Sequence, residues 1–301
     1  MSIVRRKILL TGKNGQVGWE LERSLQPLGQ VFAFDRAGMD LANPDSIRRV
    51  IREVKPDLIV NAAAYTAVDK AESEPDRAMA INGVAPGIMA EEAKRLGAAI
   101  VHYSTDYVFD GTKTTPYTEE DRPNPLNVYG RTKLAGEIAV QAIDVPHLIL
   151  RTSWVYGARG ENFLLTVFRL VKEQEELRMV ANQIGAPTWC QTIAETTGQI
   201  LARCIVPSVA DFGSLRECSG TYHLSASGET SWYGFTVAIT ARTAASREHP
   251  RIVPIGALDY PSAALRPTNS RLSGEKLRAM FGLGLPDWTL ALELCLEELH
   301  R

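Results

Sequence analysis

The sequence predicts an α/β protein built on a doubly wound parallel sheet, followed by a smaller mixed α/β region. Three observations lead to this prediction. Short apolar runs alternate with segments of helical periodicity in the first half of the chain, a pattern typical of a parallel sheet with helices on both faces. The apolar runs are nearly continuous, as strands buried on both sides require. A glycine-rich turn, GKNGQVG, separates the first run from the first helical segment, and such turns are typical of nucleotide-binding sheets.

The elements of the predicted sheet follow in order along the chain. The first strand is KILLT at 7–11, because this apolar run stands between a basic start and a glycine. After the turn, WELERSLQPLG has helical spacing and a terminal glycine. The helix within NPDSIRRVIREVKP begins at Asn43 or Asp45, either of which is a favourable N-cap. Further strands are predicted at 30–35, 57–64, 98–105 and 147–157, with helices between them and a polar, proline-rich loop at 110–126.

After about residue 157 the alternation of strands and helices becomes less regular. ENFLLTVFRLVKEQ and CQTIAETTGQILARCI have helical patterns, whereas LRMVANQIGAPTW and GTYHLSASGETSW combine strand and loop character. We therefore expect a first domain at 1–157 and a smaller domain at 158–301, with some interleaving of their elements.

Composition excludes several classes of function. The 301-residue chain has a net charge of −2, so it has no strong field to attract nucleic acid or an anionic membrane. Its N-terminal apolar run is only ILL, which is too short for a signal peptide or a membrane span. A cytoplasmic protein is expected. A disulfide framework or a cysteine metal site is not expected, because no two of the cysteines have Cys-x-x-Cys spacing: Cys190, Cys204, Cys218 and Cys295.

The glycine-rich turn indicates a dinucleotide site. Gly12, Gly15 and Gly18 lie between the first strand and the first helix, where the backbone can approach a pyrophosphate and the helix N-terminus offers free N–H groups. Gly18 would also permit close packing of the helix on the strand. The spacing differs from G-x-G-x-x-G and resembles the variant found in extended short-chain dehydrogenases/reductases, a resemblance that implies a Rossmann-like first domain that binds NAD(P). The alternative is a glycine-rich turn without a ligand.

Two adjacent residues at the end of the second strand bear on which cofactor binds. The Asp35 carboxylate would accept hydrogen bonds from the adenosine ribose, as in NAD sites. The Arg36 guanidinium could instead pair with a 2′-phosphate, as in NADP sites. The residues themselves leave the choice open, and both could be solvated strand-end groups. Asp40 and Leu41 could contact the adenine.

A tyrosine and a lysine in NVYGRTKLAGE are candidates for catalysis. Tyr129 and Lys133 are spaced i, i+4, so on a helix they share a face. A nearby ammonium would lower the phenol pKa and make Tyr129 a better proton donor. A hydroxyl from Ser104 or Thr105, at the end of the fourth strand, would complete the set. Alternatively, Tyr129 is an ordinary core aromatic and the hydroxyls belong to a turn.

Several longer motifs carry a family resemblance that extends from about residue 7 to 299. VNAAAYTAVDKAESEP, HYSTDYVFDG, PLNVYGRTKLAGE, RTSWVYG, NQIGAPT, YHLSASGETSWY and RPTNSRL resemble the dTDP-4-dehydrorhamnose reductase family. The resemblance implies reduction of the C4 ketone of dTDP-4-dehydro-β-L-rhamnose by NADPH, with NADH possible. Tyr129 would give the proton, Thr105 would hydrogen-bond the same oxygen, and Lys133 would hold the nicotinamide ribose.

The resemblance also assigns residues to each part of the site. One difference is Tyr65, where relatives often have His. Trp154 alone would more often be a core residue, and only the resemblance makes it a substrate contact. The implied substrate contacts are Val68, Asp69, Thr105, Asp106 and Trp154. The implied cofactor contacts, with Gly18 and Arg36 added from the motif analysis above, are Gly12, Gly15, Gln16, Val17, Gly18, Asp35, Arg36, Asp40, Leu41, Ala64, Tyr65, Thr66, Tyr103, Tyr129 and Lys133.

Two other functions and one assembly question stay open at this point. A nucleotide-sugar epimerase would share the fold, and a non-catalytic reductase-like subunit would tolerate loss of residues that are intact here.

Some family members dimerise through Mg²⁺ held by glutamates at positions matching Glu20, Gln191 and Glu298. Since Gln191 removes one carboxylate, and Mg²⁺ prefers charged oxygens, we expect no metal site and a monomer or weak homodimer.

Overall fold

The computed structural model describes residues 6–204, 213–242 and 250–299. The basic start at 1–5 and Ile205, the last residue of one predicted helix, lie outside this part of the chain. The strands are β1 (Lys7–Thr11), β2 (Gln30–Phe34), β3 (Leu58–Asn61), β4 (Ala99–Thr105), β5 (His147–Thr152), β6 (Val155–Tyr156), β7 (Glu176–Val180), β8 (Ile184–Gly185), β9 (Thr188–Trp189), β10 (Gly220–His223), β11 (Thr230–Ser231) and β12 (Arg251–Ile255). The α-helices are α1 (Gln16–Ser24), α2 (Pro44–Val54), α3 (Val68–Ala71), α4 (Pro75–Met79), α5 (Ala85–Leu96), α6 (Val128–Gln141), α7 (Phe163–Glu173), α8 (Cys190–Cys204), α9 (Gly213–Glu217), α10 (Trp232–Arg242), α11 (Glu275–Phe281) and α12 (Trp288–Leu299).

A six-stranded sheet in the order β10-β5-β4-β3-β1-β2 forms the centre of the fold, and all its strand pairs are parallel. The predicted doubly wound α/β class is therefore confirmed. Strand β1 has β2 on one side and β3 on the other. The chain thus reverses its direction of travel at β1, and a crevice opens there at the carboxyl ends of the strands.

Helices cover both faces of the sheet, as the continuous apolar strands predicted. On one face, strand residues such as Leu10 and Val101 pack with Leu21 of α1 and Ile193 of α8. On the other face, Leu9, Ile59 and Ile100 pack with side chains of α2, α5 and α6, including Ile47, Met89 and Val140. All seven residues of β4 are buried. This rigid double packing fixes the strand ends that carry the site.

Local sequence sets two helix starts that matter for the site. Asn43 caps α2, since its side-chain oxygen accepts the N–H groups of Asp45 at 3.0 Å and Ser46 at 3.2 Å; of the two predicted caps, Asn43 is therefore the one used. Asn127 caps α6 in the same way, accepting the N–H of Gly130 at 2.8 Å. Because α6 begins at residue 128, Tyr129 lies in its first turn.

One predicted strand is wrong in its extent. The segment 147–157 forms two strands, β5 and β6, because Trp154 between them has φ +46°, a left-handed conformation that interrupts extended backbone. The third strand is also shorter than predicted, ending at Asn61 rather than residue 64. Both differences place irregular backbone beside the crevice.

The later part of the chain contributes to the same sheet and also has a core of its own. Strand β10 pairs with β5, and α8 packs on α1. A separate cluster contains Tyr156, Phe235 and Leu292, beside the small parallel pair β7 and β12. The domain boundary at residue 157 stays a prediction. Within the described residues, every helix is too short or too polar to span a membrane.

Candidate active site

A cavity of about 580 Å³ lies at the carboxyl ends of β1 to β4. It extends from the end of β2, past the glycine turn, to the first turns of α6. The cavity also has walls that the sequence analysis did not assign, including Asn14, Arg77, Thr152 and Glu161. All the predicted cofactor contacts except Gly18 line it: Gly12, Gly15, Gln16, Val17, Asp35, Arg36, Asp40, Leu41, Ala64, Tyr65, Thr66, Tyr103, Tyr129 and Lys133.

The glycine turn has the backbone that a pyrophosphate site needs. Gly12 has φ +78°, and a Cβ there would lie 2.9 Å from the backbone of Ala63. Gly18 is buried behind the turn, where a Cβ would lie only 2.0 Å from the carbonyl oxygen of Gly12. Gly18 therefore acts by letting α1 approach the turn, and the N-terminus of α1 at Gln16 faces the cavity. The residues present fit a dinucleotide phosphate.

The end of β2 carries opposite charges at the cavity rim. The Asp35 carboxylate accepts the Gly38 N–H at 3.1 Å, which lowers the pKa of Asp35, and the Lys13 ammonium at 3.6 Å lowers it further. Arg36 lines the cavity with 70% of its side chain exposed and approaches Asp40 at 3.9 Å. Lys13 was not assigned from the sequence, although it stands inside the glycine motif. Two cations therefore lie near the end of β2, Lys13 beside Asp35 and Arg36 beside Asp40.

Lys133 is buried at the inner end of the cavity, with 2% of its surface exposed. Its Nζ donates to the carbonyl oxygen of Tyr103 at 2.6 Å and lies 3.5 Å from Nε2 of His102. Burial lowers the pKa of Lys133 to about 8, and the nearby Glu137 opposes this effect. The Tyr103 hydroxyl faces away from the cavity, bonded to Thr197 at 2.7 Å.

Tyr129 reaches the cavity from the same face of α6 as Lys133. Burial raises the pKa of Tyr129 to about 12, while a hydrogen bond with Thr105 partly offsets the rise and the charge of Asp106 adds to it. The expectation that the Lys133 ammonium lowers this pKa is not met in the protein alone, because burial dominates and Nζ is directed at the Tyr103 carbonyl. The ring also packs edge-on against Tyr107 at 5.7 Å.

Thr105 connects the phenol to a buried carboxyl group. Its hydroxyl donates to Asp106 at 2.9 Å and accepts the N–H of Tyr107 at 3.2 Å. Burial raises the pKa of Asp106 to about 6, against hydrogen bonds from Ser270 and Thr105. Ser104 lines the cavity and Thr105 does not, although both side chains are buried. Thr105 rather than Ser104 is therefore the hydroxyl that meets Tyr129.

The predicted substrate contacts lie outside the 580 Å³ cavity. Asp69, beside Val68 at the start of α3, pairs with Arg266 at 2.6 Å. Although partial burial raises it, hydrogen bonds from Arg266 and Ala264 bring the pKa of Asp69 down to about 2. Arg266 also bonds Tyr107, so Asp69 is joined through Arg266 and Tyr107 to the ring of Tyr129. Neither Arg266 nor Tyr107 was assigned from the sequence, though RPTNSRL and HYSTDYVFDG contain them.

Trp154 packs on a second tryptophan instead of standing free. Its ring stacks on Trp232 at 3.6 Å with an interplanar angle of 5°. The left-handed backbone at Trp154 turns this ring toward the later part of the chain. One aromatic surface is therefore already formed where the resemblance places the nucleotide sugar.

The side chain at residue 65 is held by its neighbours. The Tyr65 hydroxyl donates to Glu74 at 3.0 Å, and its backbone N–H donates to Asn82 at 2.8 Å. The guanidinium of Arg77, which lines the cavity, lies 5.9 Å from the Tyr65 ring centre. Tyr65 is thus held in place as part of the cavity wall.

Of the three residues that match the metal positions, Glu20 and Glu298 lie close together, whereas the Gln191 side chain has another partner. The pKa of Glu20 is raised by burial and by the charge of Glu298, so these two carboxylates are neighbours. The Gln191 amide instead donates to Glu195 at 2.8 Å. Among the residues described, no cluster of three or more His, Cys, Asp or Glu side chains has the arrangement of a metal site.

The glycine turn at the end of β1, with Tyr129 and Lys133 at the inner end of one cavity, defines a Rossmann-like protein of the short-chain dehydrogenase/reductase class. The family profile described as RmlD substrate binding domain matches residues 6–301. The dTDP-4-dehydrorhamnose reductase of Burkholderia thailandensis is 51% identical over 298 residues, covering 97% of this chain and 99% of the relative. The Escherichia coli K12 reductase is 47% identical over 302 residues, covering 97% of each.

A solved structure agrees with these relatives. The dTDP-4-dehydrorhamnose reductase of Bacillus anthracis, crystallised in complex with NADP, superimposes with a TM-score of 0.88 at 35% identity, covering 98% of this chain and 99% of that one. The chain belongs to the dTDP-4-dehydrorhamnose reductase family.

Proposed function

We propose that this protein reduces the C4 ketone of dTDP-4-dehydro-β-L-rhamnose to dTDP-L-rhamnose, using NADPH and with NADH as a possible second cofactor. The observation that carries the proposal is the position of Tyr129, which stands at the inner end of a dinucleotide-shaped cavity beside Lys133 and is hydrogen-bonded to Thr105. Family membership and the NADP complex of the Bacillus anthracis relative support the choice of substrate and cofactor.

Each residue has a defined task in this proposal. Bound NADPH would supply the hydride. Tyr129 gives its proton to the oxygen of C4, and Thr105 turns its hydroxyl proton from Asp106 to the same oxygen, where it stabilises the negative charge that develops. Lys133 orients the ribose and keeps a positive charge near the phenol, and Asp69, with Arg266, binds the nucleotide sugar. Because the unassisted pKa of Tyr129 is about 12, ligand binding must make proton loss easier for fast transfer near neutral pH.

The test is NADPH oxidation by the purified protein with dTDP-4-dehydro-β-L-rhamnose. Stoichiometric consumption of NADPH and formation of dTDP-L-rhamnose are expected. The D-xylo epimer and the UDP analogue of the substrate serve as controls for the sugar and the base. Tightly bound NAD that is regenerated without net consumption would instead show an epimerase, and no turnover of any of these sugars would contradict the proposed reaction.

Arg36→Ala is expected to raise the KM for NADPH about tenfold and to change that for NADH little, since only NADPH carries a 2′-phosphate for the guanidinium. The ratio of kcat/KM for the two cofactors is the measurement. Arg49→Ala is the control, because Arg49 is an exposed arginine of α2 paired with Glu53. An equal loss with both cofactors would show that Arg36 does not meet the 2′-phosphate.

Chelation with EDTA is expected to leave both turnover and molecular mass unchanged. The reason is that Gln191 supplies a neutral amide bonded to Glu195, where Mg²⁺ would require a carboxylate. Light scattering and the NADPH assay, each with EDTA or with added Mg²⁺, measure the two quantities. A tight dimer that dissociates and loses activity on chelation would contradict both the metal-free site and the monomer or weak dimer.

A further inference from the structure

Three polar side chains form a row across the central sheet beneath the active site. Thr11, Asn61 and His102 are neighbours in register on β1, β3 and β4, and each is at most 2% exposed. Two residues earlier, the same strands present Leu9, Ile59 and Ile100 to the apolar core of this face. A buried polar row in that position requires complete hydrogen bonding, because an unpaired group would be costly.

The row has a definite hydrogen-bond direction. The Ala63 N–H donates to Thr11 Oγ1 at 3.3 Å, and the Thr11 hydroxyl donates to Asn61 Oδ1 at 2.7 Å. Asn61 therefore presents its Nδ2 to His102 Nδ1, at 3.1 Å. Burial lowers the pKa of His102 well below its usual range, and the Lys133 charge lowers it further. The imidazole is neutral, and by this network its single proton lies on Nε2.

The protonated Nε2 faces Lys133. It lies 3.5 Å from Nζ, and Nζ is also held by the Tyr103 carbonyl at 2.6 Å. An N–H directed at an amine finds a lone pair, whereas an N–H directed at an ammonium finds none. The other tautomer of His102 would give the ammonium an acceptor and so stabilise it further, but that tautomer would require the Asn61 amide to turn over and lose its match with Thr11.

The other ionisable groups near Lys133 either have a partner already or stay neutral. Glu137, one turn further along α6, is bound by Arg151 of β5 through two hydrogen bonds of 2.9 and 2.6 Å. Tyr129 and Tyr103 are the titratable neighbours on α6 and β4, and burial holds the pKa of each phenol above its usual value. His102 is therefore the neighbour whose tautomer decides whether Nζ meets a donor or an acceptor at Nε2.

We propose that His102, oriented by Asn61 and Thr11, is a positioning residue that sets the protonation state of Lys133 and so controls when the ammonium is present beside Tyr129. The inference rests on the proposed function for its role in turnover, though not for its effect on Lys133. The row gives the neutral amine a hydrogen-bond partner, and it links that partner to the strand that precedes the glycine turn.

Two substitutions should reverse this preference. Asn61→Asp offers a carboxylate oxygen to His102 Nδ1–H and so leaves Nε2 free to accept from the ammonium. His102→Gln offers an amide oxygen directly to Nζ. In either variant the ammonium gains an acceptor, and the pKa of Lys133 should rise from about 8 by about one unit or more, a tenfold change in proton affinity. The ammonium then persists to higher pH.

The experiment is NMR titration of Lys133 in protein with ¹³C-labelled lysine, with Lys133→Met to assign the signal, accompanied by pH profiles of kcat. Thermal unfolding and NADPH binding check that each variant is folded. If His102→Gln does not fold, Asn61→Asp alone is sufficient to test the inference. An upward shift of the Lys133 titration and of the alkaline limb of kcat is expected, with neither shift in His147→Gln, a half-buried histidine at the start of β5. An unchanged titration in a folded variant would overturn the inference. Absence of wild-type turnover with an upward-shifted titration would instead contradict only the proposed reaction.

Discussion

Tyr129→Phe is expected to lower kcat about 10²–10⁴-fold, the usual contribution of a general acid, while NADPH binding stays nearly unchanged. The substitution removes the hydroxyl that Thr105 holds and keeps the ring that packs edge-on against Tyr107. The wall of the cavity is thus preserved, and only the proton is lost. Stopped-flow or steady-state NADPH oxidation gives kcat, and fluorescence titration gives the Kd of the cofactor.

The matched control is Tyr260→Phe, because Tyr260 is 52% exposed and lies outside the cavity. That variant should keep wild-type kcat. A fall in kcat of less than about threefold in Tyr129→Phe would refute its assignment as proton donor, since a positioned acid contributes far more. A large rise in the Kd of NADPH would show that the phenol serves mainly in binding.

Gly18→Ala is expected to raise the Kd of NADPH at least about a hundredfold, which corresponds to about 2.7 kcal/mol or more of lost binding free energy. An added Cβ would lie 2.0 Å from the Gly12 carbonyl oxygen and 2.6 Å from its carbonyl carbon. Both are backbone atoms, so α1 or the turn must move. Either movement would displace the N–H groups that would bind the cofactor phosphates.

Gly274→Ala is the control for this second substitution. A Cβ at Gly274 meets no atom within 4 Å, and its φ of −90° suits alanine. We expect wild-type cofactor binding and a change of less than about 1 kcal/mol in the free energy of unfolding, the scale of losing glycine at an N-cap. Cofactor affinity within about threefold of wild type in Gly18→Ala would show that the turn tolerates a wider gap to α1 than the contact distances imply.

The sequence predicts local features of this fold well because they depend on neighbours along the chain. The alternation of apolar runs identifies β1 to β5, and the glycine turn follows directly from its residues. The break at Trp154 could not be predicted, because a tryptophan in the left-handed region is held there by its stack on Trp232. That contact joins residues far apart in sequence, and strand propensity carries no sign of it.

The candidate site likewise has features that are visible in the sequence and features that depend on contacts between distant segments. The spacing of Tyr129 and Lys133 is visible in one helix, whereas the links from Asp69 through Arg266 to Tyr107 join three distant segments. The row of Thr11, Asn61 and His102 is likewise invisible until strand register is known, since each residue alone is an ordinary polar strand end. The direction of the Tyr129 pKa shift was also missed, because burial depends on the packing of the whole site.

The pairing of β10 with β5 makes the first part of the chain depend on the later part. Strand β5 is almost fully buried, and β10 covers its outer side. A chain that stopped at residue 157 would leave β5 as an exposed edge with unpaired backbone groups, which invites aggregation. The first 157 residues are therefore not expected to be stable on their own without β10. A chimera in which the later region comes from a relative would have to include a strand equivalent to β10, because otherwise β5 would lose its outer partner.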